Sequence, residues 1–333
     1  MDLFFVLSGF LVSGLLFREY QRHGSVDVVR FLIRRGFKIY PGFWVLLAVT
    51  VAFRIGLGAP VPGRQLMGEG LFVQNYVGGL WNHTWSLAVE EHFYLLLALM
   101  TAWLVRPRRR RRTHPLACLP AIFAVVAIIS VVLRVRTSVR PFSLPTHIFA
   151  THIRMDSLFF GVLLSYCWHF KGLATHTWLA RRSTWLFGIG VSLLLPAFLF
   201  PQRTTWIPVA GLTLFYLGSG ALLLAMLYSR IPDTRAVRGL ASIGTFSYSI
   251  YLWHMPVQQW LIPIIEGIID TRLHWYAYAA VYLVGSVVVG IQACRVIEYP
   301  MLRLRDRLYP ADTRDRGSVT STDSDMPLGA VAV

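Results

Sequence analysis

An all-α, polytopic bundle of membrane-spanning helices is the fold class that this 333-residue sequence predicts. Hydrophobic residues make up 55% of the chain and charged residues 14%, too little charge to cover a soluble surface of this size. Mean hydropathy is +0.55. Apolar runs of the length that crosses roughly 30 Å of hydrocarbon recur along the chain. About nine fit that description, near 2–17, 39–57, 85–105, 116–134, 155–170, 184–200, 206–228, 246–265 and 275–296.

The first run, DLFFVLSGFLVSGLLF, is apolar almost from Met1 and ends in Arg18 and Glu19. Gly9 and Ser13 stand four apart on it, a spacing that lets another helix approach closely; Ser8 beside them is a candidate contact for an acyl group. A basic loop, 18–38, leads to a second span that begins at Tyr40 and Pro41. The stretch 58–84 is Gly-rich with aromatics and reads as a surface or re-entrant loop. The third span opens WSLAVEEHFY and places two carboxylates near a helix end, where charge in a membrane is costly. Glu90 shares a face with Ser86 and Tyr94, four residues away on either side, whereas Glu91 points about 100 degrees away. His92 reads as a polar helix residue. The span at 155–170 is opened by Arg154 and Asp156; i and i+2 diverge on a helix, so each is expected to pair with a different helix. In FSYSIYLWHMPVQQW, Ser247, Tyr251, His254 and Gln258 fall at steps of four, three and four, one polar stripe that bonds to other helices or lines a cavity. By chemistry alone His254 is a general-base candidate. Glu298 closes the last span and reads as structural. Residues 1–310 form one membrane domain in this reading. Residues 311–333 are small and polar without a periodic apolar face, and read as a disordered cytoplasmic tail.

The formal charge is +16, yet no basic face with a nucleic-acid-binding motif appears, and nucleic acid is not an expected partner. Placing loop 18–38 in the cytoplasm and alternating from there puts about 24 of the 32 Lys and Arg residues on that side, in accord with the positive-inside rule. Arg34, Arg35 and Lys38 at that mouth are, on this ground alone, helix anchors. The three cysteines sit in or beside apolar runs without metal or disulfide spacing. His147 and His152 have no acidic residue at ligand spacing, so no metal is assigned.

In order, DLFFVLSGFL, FLIRRGFKIYP, WSLAVEEHFYLL, RMDSLFFGVLL, FSYSIYLWHMPV and IEYP resemble the membrane acyltransferase 3 family, whose members O-acylate polysaccharides, other envelope glycans, and some antibiotics and lipids. The likeness runs from Asp2 to about Arg303. It implies an enzyme that takes an acyl group from acyl-coenzyme A, a co-substrate rather than a bound cofactor, and transfers it to a hydroxyl of a carbohydrate, cell-envelope glycan or secondary metabolite, in a multi-pass protein of the plasma membrane. Its partners would be membrane lipid, acyl-coenzyme A and a sugar-containing acceptor. The family's Arg-x-x-Arg pattern falls on Arg35 and Lys38, so the resemblance turns Arg34, Arg35 and Lys38 into donor-binding cations. The second position departs from the pattern: Lys keeps the charge and loses the bidentate fork. The family's Ser-Leu-x-x-Glu-x-x-Phe-Tyr motif falls on Glu90, which would orient or charge the catalytic base or touch the acceptor. Ser8, Ser86, Tyr94, Arg154, Asp156, Ser247, Tyr251 and Gln258 would contact substrate or line the cavity.

The family has ten spans, and the helix expected before the first one here carries its catalytic His. Met1 stands where the motif GVDLFF has Val, and a GTG codon encodes both, so the expected start lies one helix upstream. On that reading the 333-residue chain alone transfers poorly, and normal turnover would point to His254 or Glu90. The residues leave a second class open, a non-catalytic truncated paralogue or a transporter of small molecules or lipid-linked sugars, although no paired broken helices in two halves are evident.

Overall fold

A computed structural model describes residues 1–106, 115–229 and 231–309. Arg108 to Arg112 and the tail 311–333 lie outside the described residues. Among those described there is no strand. The helices in chain order are α1 (Asp2–His23), α2 (Val28–Gly56), α3 (Gly63–Gly70), α4 (Gln74–Val77), α5 (Trp85–Leu104), α6 (Leu119–Ser138), α7 (Met155–Phe170), α8 (Thr177–Ala180), α9 (Ser183–Leu194) and α10 (Pro196–Leu199). They continue with α11 (Leu212–Tyr228), α12 (Arg235–Thr245), α13 (Ser247–Pro256), α14 (Ile262–Ile269), α15 (Trp275–Ala293) and α16 (Tyr299–Leu308).

The protein is an all-α, multi-pass membrane helix bundle. Six segments among the described residues are long and apolar enough to cross a membrane: Asp2–His23, Val28–Gly56, Asn82–Leu104, Leu119–Ser138, Ile207–Tyr228 and Trp275–Leu308. Three of the nine expected spans are not among them. The 155–170 run is the 16-residue α7. The 184–200 run breaks into α9 and α10 at Pro196. Proline lacks the N–H that an unbroken helix needs. The 246–265 run is helical throughout, passing from α13 to α14 through an i→i+5 turn, Val257–Leu261, after Pro256, but its polar residues keep it from being apolar enough to count. The second span does not begin at Tyr40 and Pro41; α2 runs through Pro41 from Val28.

Contacts group the chain into two compact units, one comprising Met1–Val28 and Gly63–Ile231, the other Val29–Pro62 and Pro232–Val333. In the first, α1 is the central helix: Phe5, Val6, Phe10, Val12, Leu16 and Phe17 are all buried. Val6 and Phe10 join Leu164, Tyr216 and Leu223 of α7 and α11 in one apolar cluster. Close backbone approach decides the α1–α7 pair. A Cβ on Gly9 would lie 2.1 Å from the Leu158 carbonyl oxygen, and one on Gly161 would lie 2.2 Å from that of Val6. Only glycine fits there, and in lipid such close van der Waals packing supplies much of the association energy. The spacing of Gly9 and Ser13 thus marks a crossing, with Gly161 as the partner glycine.

In the second unit α2 packs on α13. The Tyr248 hydroxyl donates to the Ile39 carbonyl at 2.7 Å, and Phe53 and Trp260 rings lie 4.6 Å apart.

Candidate active site

Helical spacing builds the central feature of the first unit. Glu90 and Tyr94 are one turn apart on α5, so the phenol reaches back over the carboxylate, as residues at i and i+4 do. Tyr94 donates to Glu90 Oε2 in a short hydrogen bond. Its oxygen also lies 2.7 Å from Ser8 Oγ on α1. A tyrosine has one hydroxyl proton; with that proton on Glu90, Ser8 is the donor to Tyr94. The result is a directed chain, Ser8 to Tyr94 to Glu90, with the carboxylate 5% exposed and the phenol 1%. Ser86, one turn before Glu90, is buried as well.

Two ion pairs occupy the same unit. Arg154 Nη2 donates to Asp2 Oδ1 at 2.8 Å, and Ser157 Oγ reaches the same oxygen at 3.3 Å. Arg134 Nη2 meets Asp156 Oδ1 at 2.6 Å. Its remaining donors go to the Ile153 carbonyl at 2.9 and 2.6 Å and to Thr213 at 3.1 Å. Arg154 and Asp156 thus pair with α1 and α6, as their divergent spacing requires, and both guanidinium groups are 1% exposed. Arg154 stands over the rings of Phe5, 5.2 Å away, and Trp85, 5.8 Å away, where a cation is attracted to the ring face. Its Nε and Nη1, and Asp156 Oδ2, have no hydrogen-bond partner among the described residues.

The stretch 58–84 is more than a surface loop. It folds into α3, α4 and a 3-10 turn, Asn82–Thr84, and buries Glu69, Gln74, Asn75, Trp81 and Thr84. Glu69 Oε1 accepts from the Trp81 N–H at 3.2 Å and from Thr84 Oγ1 at 2.9 Å. Burial outweighs these bonds and pushes its carboxyl up to about 7. Asn75 donates to Thr151 Oγ1 at 2.8 Å, which also meets His92 Nδ1 at 2.8 Å. His92 is thereby a polar helix residue tied to the segment before α7. That segment continues to Phe149, which stacks on Trp85 at 4.6 Å, and to His152, which stacks on Tyr76 at 5.9 Å.

The other sequence candidates lie in the second unit. Arg34 donates to the Tyr309 carbonyl at 2.6 Å and pairs with Asp306 at 3.5 Å. Lys38 pairs with Glu298 at 2.9 Å, and Ser249 donates to the same carboxylate. Arg35 lies between them on α2, half-buried. The expected single stripe of Ser247, Tyr251, His254 and Gln258 does not form. Ser247 is exposed while Ser249, Leu252 and Pro256 face inward, and the i→i+5 turn after Pro256 rotates Gln258 out of register. His254 Nδ1 sits 2.5 Å from the Tyr251 carbonyl, and Gln258 donates to the Tyr278 hydroxyl at 3.1 Å. Among the described residues no group of three or more His, Cys, Asp or Glu is placed so that it could hold a metal ion.

Sequence reasoning missed Asp2, Glu69, Asn75, Arg134 and Thr151 as site neighbours. For Asp2 and Arg134 a signal existed: each is a charge at or inside an apolar run, and such charges need partners.

Fold and site together define a membrane helix bundle whose interior holds a hydroxyl–carboxylate chain and two buried ion pairs. The chain belongs to the acyltransferase 3 family, described as an acyltransferase domain, whose profile matches residues 1–291. The O-acetyltransferase OatA of Staphylococcus aureus (strain NCTC 8325 / PS 47) is 26% identical over 349 residues, covering 97% of this chain and 55% of that protein. The peptidoglycan O-acetyltransferase OatA of Listeria monocytogenes serovar 1/2a is 25% identical over 332 residues, covering 90% of this chain and 50% of that protein. The chain spans about half the length of these curated relatives. No solved structure matches.

Proposed function

We propose that this protein is a membrane O-acyltransferase that moves an acyl group from acyl-coenzyme A to a hydroxyl of a cell-envelope glycan, with acetyl as the group named for the relatives. The observation that carries the reading is the buried Ser8–Tyr94–Glu90 chain. Acyl transfer to a hydroxyl needs a proton acceptor held within hydrogen-bond reach, and a carboxylate bonded through a phenol to a second hydroxyl supplies one. Glu90 is the acceptor in this reading, Tyr94 holds it in place, and Ser86 lies buried one turn before it. Arg154 and Asp156 shape the same interior. Arg34, Arg35 and Lys38 attract the phosphates of the donor from the cytoplasm. Arg34 is the most readily diverted of the two paired cations, because its partner Asp306 is 53% exposed and Glu298 only 1%. Ser247, Tyr251, His254 and Gln258 belong to substrate passage or to packing in the second unit. The site of action is the plasma membrane.

The test is ester-linked acetate on the envelope glycan of cells that express the protein, compared with cells expressing Glu90→Gln. Acetate that appears with the natural chain and is lost in the variant supports the reading. Unchanged glycan together with uptake or export of a small molecule would favour a transporter.

A further inference from the structure

Ser8 departs from the commonest arrangement of a hydroxyl in these helices, and unlike Ser249 and Ser157, which meet carboxylates directly, it meets one through a phenol. Ser13, Thr50, Thr101, Ser219 and Ser286 each donate to the carbonyl four residues earlier in their own helix, at 2.6 to 2.7 Å. That is how a hydroxyl is silenced in a membrane helix. Ser8 bonds across to Tyr94, 86 positions along the chain, and Tyr94 bonds onward to Glu90. Both protons of the chain point toward the carboxylate. A nucleophile hydrogen-bonded to a group that is itself held by a third is the arrangement of an activated hydroxyl. Ser8 also lies six residues below Asp2, about 9 Å from that end of α1, on the side where the charge bias puts the glycan. A donor from the cytoplasm and an acceptor from the opposite side have no common solvent in which to meet, and a covalent stop within the bundle removes the need for one.

We infer that Ser8 is an acyl-carrying nucleophile, so that the reaction proceeds in two steps through an ester on its Oγ; this rests on the acyltransferase reading above. In the first step Oγ attacks the thioester carbonyl carbon. The new O–C bond forms and the C–S bond breaks. The Ser8 proton passes to the Tyr94 oxygen as the Tyr94 proton passes to Glu90, and coenzyme A leaves as a thiolate that takes a proton from water. In the second step the acceptor hydroxyl attacks the Ser8 ester. The Ser8 oxygen leaves and regains its proton from Tyr94, which is reprotonated by Glu90, and the acceptor's proton goes to water. Ser8 is the catalytic residue in this scheme; Tyr94 and Glu90 move the proton.

The full chain in lipid nanodiscs, mixed with radiolabelled acetyl-coenzyme A without acceptor and quenched in acid, is expected to gain one acetyl group on the peptide that contains Ser8. Ser8→Ala loses the label. Glu90→Gln and Tyr94→Phe slow its appearance by about a hundred-fold or more. Ser8→Cys retains it as a thioester that neutral hydroxylamine removes, a signature that misfolding does not produce. p-Nitrophenyl acetate is the second donor, expected to give a nitrophenol burst with the natural chain and none with Ser8→Ala. Absence of acyl-Ser8 with both donors overturns the inference. So does envelope acetylation that survives Ser8→Ala, which leaves the acyltransferase reading standing. That reading itself fails only if cells expressing the natural chain gain no glycan ester.

Discussion

Two buried glutamates with similar surroundings have different consequences. Glu298, in the second unit, accepts from a serine hydroxyl and is bound by Lys38. Glu90, in the first, accepts from Tyr94, which in turn is bonded to Ser8. The Lys38 ammonium at 2.9 Å and the Ser249 hydroxyl both bind Glu298, which makes it a strut between α2 and the end of the last span. A carboxylate at the end of a chain of hydroxyls can take a proton from it, which is the role proposed above for Glu90. A bonded carboxylate inside a membrane is thus no evidence of catalysis by itself.

The sharpest way to break that contrast is to neutralise each glutamate. Glu90→Gln is expected to lower transfer about a hundred- to ten-thousand-fold, the range for loss of a general base, with the unfolding midpoint little changed. Glu298→Gln is expected to do the reverse, keeping transfer within a few-fold while lowering the midpoint. Equal losses of activity in the two would end the distinction.

Next come the ion pairs. Arg134→Leu leaves Asp156 buried without the cation that binds it, at a cost of about 3–5 kcal/mol. Adding Asp156→Leu should restore most of that, measured by thermal unfolding in detergent. A double variant no better than the single one would show that Arg134 acts through its bonds to Ile153 and Thr213.

Glu69 offers a smaller, pH-dependent effect. Its carboxyl is raised from 4.5 to about 7 by burial, so the folded state keeps a proton that the unfolded state loses first. Stability is therefore greatest below about pH 4.5, falls as pH rises to about 7 and is flat above, a span of about 3 kcal/mol. Glu69→Gln should flatten the curve of unfolding midpoint against pH and raise it above pH 7.

Smallest is the Arg34–Asp306 pair, partly exposed on both sides. Asp306→Ala should change stability by less than about 1 kcal/mol, and by freeing Arg34 should lower the KM for acyl-coenzyme A if Arg34 meets the donor.

Much of this was legible in the residues. Composition and run length determine an all-helical membrane bundle, because lipid leaves the backbone no other way to satisfy its hydrogen bonds in a chain of this pattern. Helical spacing alone puts Ser86, Glu90 and Tyr94 on one face, sends Arg154 and Asp156 to different partners, and marks Gly9 as a crossing point. Each of these is local, set by residues within two turns of one another.

What tertiary structure decided is everything that joins distant segments. Nothing in the spacing of α1 or α5 says that Ser8 meets Tyr94, that Asp2 is the partner of Arg154, or that Arg134 leaves the count of exposed loop charges to bury itself against Asp156. Pro196 ended α9 inside a run that hydropathy alone counts as whole, because hydropathy sums side chains and is blind to a missing N–H. The same averaging hid Glu69, whose shifted carboxyl depends on a fold of the 58–84 segment that no period announces. Periodicity reports which way a side chain leaves its own helix; which group it finds there depends on how helices pack, and that is set by close contacts such as Gly9 on Gly161 that involve residues more than a hundred positions apart.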